Sequence, residues 1–375
     1  MRLLIVDDSA LMRRMLKDCF ADQPDIVVET ARDGVDALEK LHAFQPDVIT
    51  LDINMPRMDG LTCLAHIIEE RPCPVIMVSS LSEKGAIATF EALELGATDY
   101  VTKPDGTVSL SLEQIFEELR AKVRAAAGSQ TRSAPKRDRR PAKPQSAAKL
   151  DRELEQETDP DFDPEFGDPS EAPTGVKLVI IGSSTGGPRV VEDILWTIPG
   201  NFPVPILICQ HMPPRFTRIF SERLATKCDL QIHELARPMP LEPGHAYIAA
   251  GARDVVVSHR FRRIIAKPVE PDPRHTWHPS VSRLCASALD NFDPPDLLGV
   301  MLTGMGDDGS TEMAAMHHGG ARTIAESEET AAVWGMPKKL IEKDGASIVL
   351  PAERIAGQIR RWANAPAQKR KTSCR

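Results

Sequence analysis

A chain of 375 residues is too long for one ordinary core and implies two domains with a connector. Its formal net charge of -8 argues against a nucleic-acid-binding body, and no apolar run approaches the roughly 20 residues that cross a bilayer. The seven cysteines form no CxxC pair, and the N-terminus opens into Leu3-Leu4-Ile5-Val6 rather than a signal peptide, so a cytoplasmic protein with reduced thiols is expected.

From residue 1 to 126, short apolar runs alternate with helical patterns. Strands are expected at Arg2–Val6, Ile26–Thr30, Asp47–Leu51, Pro74–Ser79 and Asp99–Thr102. Amphipathic helices such as Ala10–Phe20, Val35–Ala43 and Ser82–Leu95 fit between them. This five-fold βα alternation predicts a parallel sheet covered on both faces. Between residues 127 and 174 the pattern dissolves. A basic stretch (Arg132, Lys136, Arg137, Arg139, Arg140, Lys143, Lys149) gives way to an acidic one ending Asp159-Pro160-Asp161-Phe162-Asp163-Pro164. Few large apolar residues, many prolines and blocks of charge describe a disordered, solvated linker; the alternative use of the basic block is contact with an anionic partner.

The second domain spans residues 175 to 364, followed by a frayed tail, 365–375. Strands are expected at Lys177–Gly182, Pro205–Gln210, Gln231–Glu234, Ala246–Ala249, Asp254–Ser258, Leu297–Leu302, Arg322–Ala325 and Ser347–Leu350. Helices fit Pro188–Trp196, Arg215–Thr226, Pro279–Asp290, Gly309–His318, Pro337–Glu342 and Ala352–Ala363. A doubly wound α/β fold follows, with a small antiparallel excursion around Tyr247 to Ile265.

Chemistry gathers at two sets of strand ends. In the first domain, Asp7 and Asp8 follow the first strand and Asp52 ends the third, while Ser79 ends the fourth and Lys103 follows the fifth. Three carboxylates at one sheet edge call for a hard divalent cation such as Mg²⁺, and the lysine would neutralise phosphoryl oxygens during transfer onto a carboxylate. Any one aspartate alone could be a helix N-cap or a turn residue. Jointly, Asp7-Asp8, Asp52 with Met55-Pro56, Asp59-Gly60, Ser79 and Tyr100-Val101-Thr102-Lys103-Pro104 resemble the CheY-like response-regulator receiver domain. That resemblance implies Asp52 as phospho-acceptor, and Mg²⁺ held by Asp8, Asp52 and the backbone carbonyl of Asn54, with Asp7 acting through water. It also implies Ser79 and Tyr100 as the positions that sense phosphorylation, alongside Lys103.

In the second domain, Gly182-Ser183-Ser184-Thr185-Gly186-Gly187, Gln210-His211-Met212-Pro213 and Thr303-Gly304-Met305-Gly306-Asp307-Asp308-Gly309 each leave the end of an apolar strand. Loops at the carboxyl ends of parallel strands share one crevice, and a serine, a histidine and an aspartate there are the parts of a hydrolytic triad. A glycine-rich phosphate loop is the rival reading of the serine segment, weakened by the lack of GxGxxG spacing and of a Walker lysine. Two serines and two aspartates remain as candidates on these grounds.

The three loops together resemble the chemotaxis-type protein-glutamate methylesterases, the CheB family, across both domains and in the same order. The resemblance implies Ser184 as nucleophile, His211 as general base and Asp308 as the orienting carboxylate, with Thr185 and the backbone amide of Met305 near the oxyanion. Pro279-Ser280-Val281 and Gly335-Met336-Pro337-Lys338 also match, whereas Trp277, His278 and Ser282 depart from the family's usual residues. It implies an N-terminal (βα)5 receiver and a C-terminal doubly wound serine hydrolase needing no cofactor for its own chemistry. The substrates would be methylated glutamates, and certain glutamines, on chemoreceptor cytoplasmic domains, and the phosphodonor a chemotaxis histidine kinase. The unphosphorylated receiver would pack over the triad cleft and release it when Asp52 is phosphorylated. A monomer without nucleic-acid partner or membrane insertion is expected.

Overall fold

The computed structural model describes residues 1–80, 82–103, 109–129, 175–260 and 263–363. The expected linker lies outside them, apart from 127–129, as does the expected tail. The chain divides into two compact units, one on each side of segment 130–174.

In the first unit, β1 (Arg2–Val6), β2 (Val27–Ala31), β3 (Val48–Asp52), β4 (Val75–Ser79) and β5 (Asp99–Thr102) form a parallel sheet in the order β2-β1-β3-β4-β5. Strands β3 and β4 are buried along their whole length, as continuous apolar runs must be when helices cover both faces. The helices are α1 (Ala10–Cys19), α2 (Gly34–Phe44), α3 (Gly60–Glu70), α4 (Glu83–Leu95) and α5 (Ser109–Ser129). The first four start at side-chain caps: Ser9, Asp33, Asp59 and Ser82 accept backbone N–H groups of the first turn. Helix α5 runs three residues past the expected domain end at 126. Because β1 is flanked by β2 and β3, the chain reverses direction across the sheet there, and the carboxyl ends of β1 and β3 open a crevice.

The second unit has a seven-stranded sheet in the order β15-β14-β13-β6-β7-β10-β8. Its strands are β6 (Leu178–Ser183), β7 (Ile206–Gln210), β8 (Gln231–Leu235), β10 (His245–Ala249), β13 (Leu297–Met301), β14 (Arg322–Glu326) and β15 (Ile348–Leu350). All its pairings are parallel. Around it lie α6 (Gly187–Thr197), α7 (Pro214–Lys227), α8 (Val281–Leu289), α9 (Ser310–His318), α10 (Met336–Ile341) and α11 (Ala352–Ala363). Strand β6 sits between β7 and β13, so this sheet too has its reversal point at the strand carrying the serine loop.

One expectation is corrected here. Tyr247 belongs to β10 in the large parallel sheet, opposite Leu207 and His233, and the antiparallel sheet consists of β9 (Met239–Pro240), β11 (Asp254–Arg260) and β12 (Arg263–Val269). The turn at Gly251-Ala252 leads from β10 into β11, which lies in a different sheet. Tyr247 nevertheless ties the two sheets together: its hydroxyl donates to Pro240 O at 2.7 Å and accepts the Glu242 N–H at 3.1 Å.

Candidate active site

Strand β6 ends at Ser183, and the next residue, Ser184, has different surroundings. Ser183 is fully buried and donates its hydroxyl to Gln210 Oε1 at 2.6 Å. The same amide donates from Nε2 to Ser184 O at 2.9 Å and to His211 O at 3.1 Å, clipping the serine and histidine loops together. Ser183 is thus occupied by structure. Ser184 stands one residue further along, and its hydroxyl makes no hydrogen bond among the described residues. The turn behind it needs glycine twice. Gly186 has φ +76°, and a Cβ on Gly187 would lie 2.4 Å from Gln210 Oε1.

Thr303, after β13, laces the loops from the other side. Its carbonyl accepts the Ser184 N–H at 3.0 Å, and its hydroxyl donates to Thr185 O at 2.9 Å. Its own N–H donates to Oε2 of Glu326, a fully buried carboxylate at the end of β14. The next residue, Gly304, approaches so closely that a Cβ there would be 2.8 Å from Ser184 Cβ. Met305 follows, and its N–H donates to no acceptor among the described residues. The hydroxyl of Thr185 is buried and likewise unpaired. Two hydrogen-bonding groups therefore stand uncommitted in the loops around Ser184.

His211 leaves the end of β7 with only 5% of its side chain exposed. Its Nε2 lies 2.9 Å from Asp308 Oδ2, and its buried Nδ1 has no partner. A carboxylate only accepts, so the proton sits on Nε2 and Nδ1 carries the free lone pair. The structure thus brings His211 and Asp308 together, but no hydrogen bond joins Ser184 to His211. Asp308 accepts four hydrogen bonds, from His211 Nε2, Ser280 Oγ, Val281 N and Ser282 N. The last two are the first amides of α8, where orphan N–H groups and the helix dipole favour negative charge. Burial alone would raise this carboxyl; His211 and the two amides outweigh it and hold its pKa at about 2. Asp307 is exposed and contributes a carbonyl to the first turn of α9. Ser282, one of the departing residues, accepts the Gly309 N–H on its hydroxyl at 2.8 Å.

In the first unit, ligand oxygens of Asp7, Asp8 and Asp52 all lie within 4.8 Å of one another. Lys103 Nζ is 2.9 Å from both Asp7 Oδ2 and Asp52 Oδ2. Burial raises the Asp52 carboxyl against the opposing pull of Lys103. Three carboxylates with one ammonium leave negative charge and hard oxygen donors in one place, so the donor set fits a divalent cation such as Mg²⁺. Ser79 is buried, with its hydroxyl donating to Gly85 O at 3.1 Å in the first turn of α4. Tyr100 is buried, with Lys122 Nζ 5.2 Å from its ring centroid. Asn54 is exposed next to the pocket. Pro104 lies outside the described residues.

Gln210 and Thr303 stand inside the motif segments legible in the sequence, but their roles as clasps between the loops did not follow from it. Glu326 was missed, although it is a charge closing the run Thr323-Ile324-Ala325.

Comparison with known proteins agrees with both halves. The family described as CheB methylesterase matches residues 179–359, and the response regulator receiver domain matches residues 3–120. The chain is 47% identical over 363 residues to "Protein-glutamate methylesterase/protein-glutamine glutaminase 3" of Rhodospirillum rubrum, covering 96% of each chain. It is 45% identical over 367 residues to "Protein-glutamate methylesterase/protein-glutamine glutaminase 2" of Rhodopseudomonas palustris, covering 98% of this chain and 99% of that one. With the counterpart from Caldanaerobacter subterraneus it shares 42% over 366 residues, covering 97% and 96%. Identity at this level, end to end and through both domains, places the chain in the CheB family of protein-glutamate methylesterases/protein-glutamine glutaminases, with a response-regulator receiver preceding an α/β hydrolase domain.

Proposed function

We propose that this chain hydrolyses glutamate methyl esters on chemoreceptor cytoplasmic domains to glutamate and methanol, and specific glutamine amides to glutamate and ammonia, under control of Asp52 phosphorylation. The observation that carries the proposal is the His211–Asp308 pair, with Nδ1 of His211 left without a partner and Ser184 just past the end of the neighbouring strand. Ser184 Oγ attacks the ester carbonyl while its proton passes to His211 Nδ1. The oxyanion is met by the Met305 amide, with the Thr185 hydroxyl beside it, and such preorganised donors commonly supply the largest part of the rate enhancement. Collapse expels methoxide, which takes the proton from Nδ1 and leaves as methanol. Water, deprotonated at the same nitrogen, then splits the acyl-enzyme, and His211 passes that proton to the departing Ser184 Oγ. Asp308 keeps the proton on Nε2 and stabilises the imidazolium throughout. A glutamine side chain enters the same sequence with ammonia as the leaving group.

In the receiver, Asp52 takes the phosphoryl group from a chemotaxis histidine kinase. Asp8, Asp52 and the Asn54 carbonyl would hold Mg²⁺, with Asp7 one water away; the ion would neutralise phosphoryl oxygens together with Lys103. Ser79 and Tyr100 are the residues proposed to respond. The receiver is taken as residues 1–126, extended to 129 by the course of α5, and the catalytic domain as 175–364. We place the enzyme in the cytoplasm, on the support that no disulfide joins cysteines among the described residues; no helix among the described residues is long and apolar enough to cross a membrane.

The test is methanol release from methylated receptor, with and without a small-molecule phosphodonor. Ser184→Ala should fall to background while Ser183→Ala retains turnover; the reverse result overturns the assignment of the nucleophile. Asp52→Asn should lose the response to phosphodonor, and an unchanged response would remove Asp52 from the regulation.

A further inference from the structure

Trp277 lies flat on the imidazole of His211, with ring centroids 5.3 Å apart and planes 14° from parallel. Nothing in the proton transfers above uses it. The segment that carries it is fixed from behind by Asp254, a fully buried carboxylate. Asp254 Oδ1 meets His278 Nδ1 at 2.9 Å and accepts the Ser280 N–H at 3.0 Å. Its Oδ2 accepts Arg283 Nη1 at 2.8 Å and the Asp272 N–H at 3.0 Å. The indole also comes near the loop that carries Met305 and Asp308: a Cβ on Gly306 would lie 3.9 Å from Trp277 Nε1. The indole is therefore half-buried between two anchored loops, with one face on the ring that moves protons.

We propose that Trp277 is a positioning residue for His211, holding the imidazole plane and favouring its cationic form through the indole π face. Asp308 grips the imidazole at Nε2 alone, and a ring held at one nitrogen can still swing about that bond and carry Nδ1 away from Ser184. A parallel indole blocks that swing. Its attraction also grows as the reaction proceeds, because a neutral imidazole gains only stacking while an imidazolium within about 6 Å of the centroid gains a cation–π contribution. Stabilisation that increases when the proton arrives lowers the barrier rather than merely binding substrate.

The inference rests on His211 as general base, and the experiment separates the two. In the full chain, Trp277→Leu keeps an apolar side chain without a π face, whereas Trp277→Phe keeps one; both are smaller than the indole. Methanol release should show kcat about ten-fold lower for Trp277→Leu with KM within about two-fold of wild type, and Trp277→Phe within about three-fold in kcat. Wild-type kcat in Trp277→Leu, or a Trp277→Phe as impaired as Trp277→Leu, overturns the proposal. The control is His211→Ala. Retained activity there removes the general-base reading itself, while an inactive His211→Ala beside a fully active Trp277→Leu removes only the role of Trp277.

Discussion

The carboxylate of Asp308 receives three hydrogen bonds besides the one from His211, and these set its charge as well as its place. Folding lowers its pKa from 3.8 to about 2. The stabilisation this represents is therefore complete above about pH 3.8 and disappears as the pH falls through about 2. It amounts to about 2 kcal/mol at neutral pH. Asp308→Asn should forfeit that contribution, seen as a lower denaturant midpoint at pH 7 and a shallower loss of stability between about pH 4 and 2 than in wild type. The Val281 and Ser282 amides bond to different oxygens of Asp308, and an asparagine keeps only one oxygen, so one of the two amides faces an NH2 group and loses its acceptor. Without a carboxylate to fix the Nε2–H tautomer, kcat for methanol release should fall by about 10³- to 10⁴-fold. A variant with normal acid unfolding and near-normal kcat would show that Asp308 holds neither the fold nor the imidazole. Ser183→Ala probes the other side of the site: with Gln210 Oε1 unpaired, stability should drop by about 1–3 kcal/mol while the chemistry continues.

At the level of elements, the loop after β13 works by close approach. A Cβ on Gly304 would meet Met336 Sδ at 2.4 Å and Ser184 Cβ at 2.8 Å. Methionine can yield, but the serine stands at the end of a buried strand. Gly304→Ala should cost about 1–3 kcal/mol in stability and lower kcat more than ten-fold by displacing Ser184. If kcat stays at the wild-type value, the serine position tolerates the shift and the loop is not tuned to it. Such dependence on distant segments separates the features legible in the amino-acid sequence from those that are not. Periodicity and apolar runs located β1, β5 and α11 to the residue, because buried parallel strands and amphipathic helices write their pattern locally. The motif loops stood out because glycine and proline are needed where the backbone turns sharply. What stayed hidden depends on contacts between segments far apart along the chain: Glu326 under Thr303, Gln210 between two loops, and Trp277 on His211. Tyr247 was misplaced for the same reason, since membership of a sheet is decided by partners rather than by the strand itself.

In the whole molecule, each unit sets its chemistry where strand order reverses, at β1 and β3 in one and around β6 in the other. Each also has its own interior. Leu3, Ile5, Phe20 and Val123 belong to one core, and Leu178, Ile180, Val281 and Met301 to another. A domain with its own core does not need its neighbour in order to fold. Regulation is then a coupling free energy added to two self-sufficient structures. Turning a 1:99 equilibrium into 99:1 takes about 5.5 kcal/mol of differential stabilisation, whereas a new phosphoryl group creates one to three charge-assisted hydrogen bonds, partly offset by lost solvation. Activation by phosphorylation should therefore be partial, on the order of ten-fold, or about 1.4 kcal/mol. The isolated segment 175–363 should hydrolyse methylated receptor at least as fast as the unphosphorylated full chain, with no response to phosphodonor. Methanol release by the two proteins, each with and without phosphodonor, measures both quantities at once. A segment slower than the unphosphorylated chain would mean that the receiver assists catalysis or delivers the substrate instead of restraining the site. In that case the coupling has the opposite sign, and phosphorylation adds to an activity the receiver already supports.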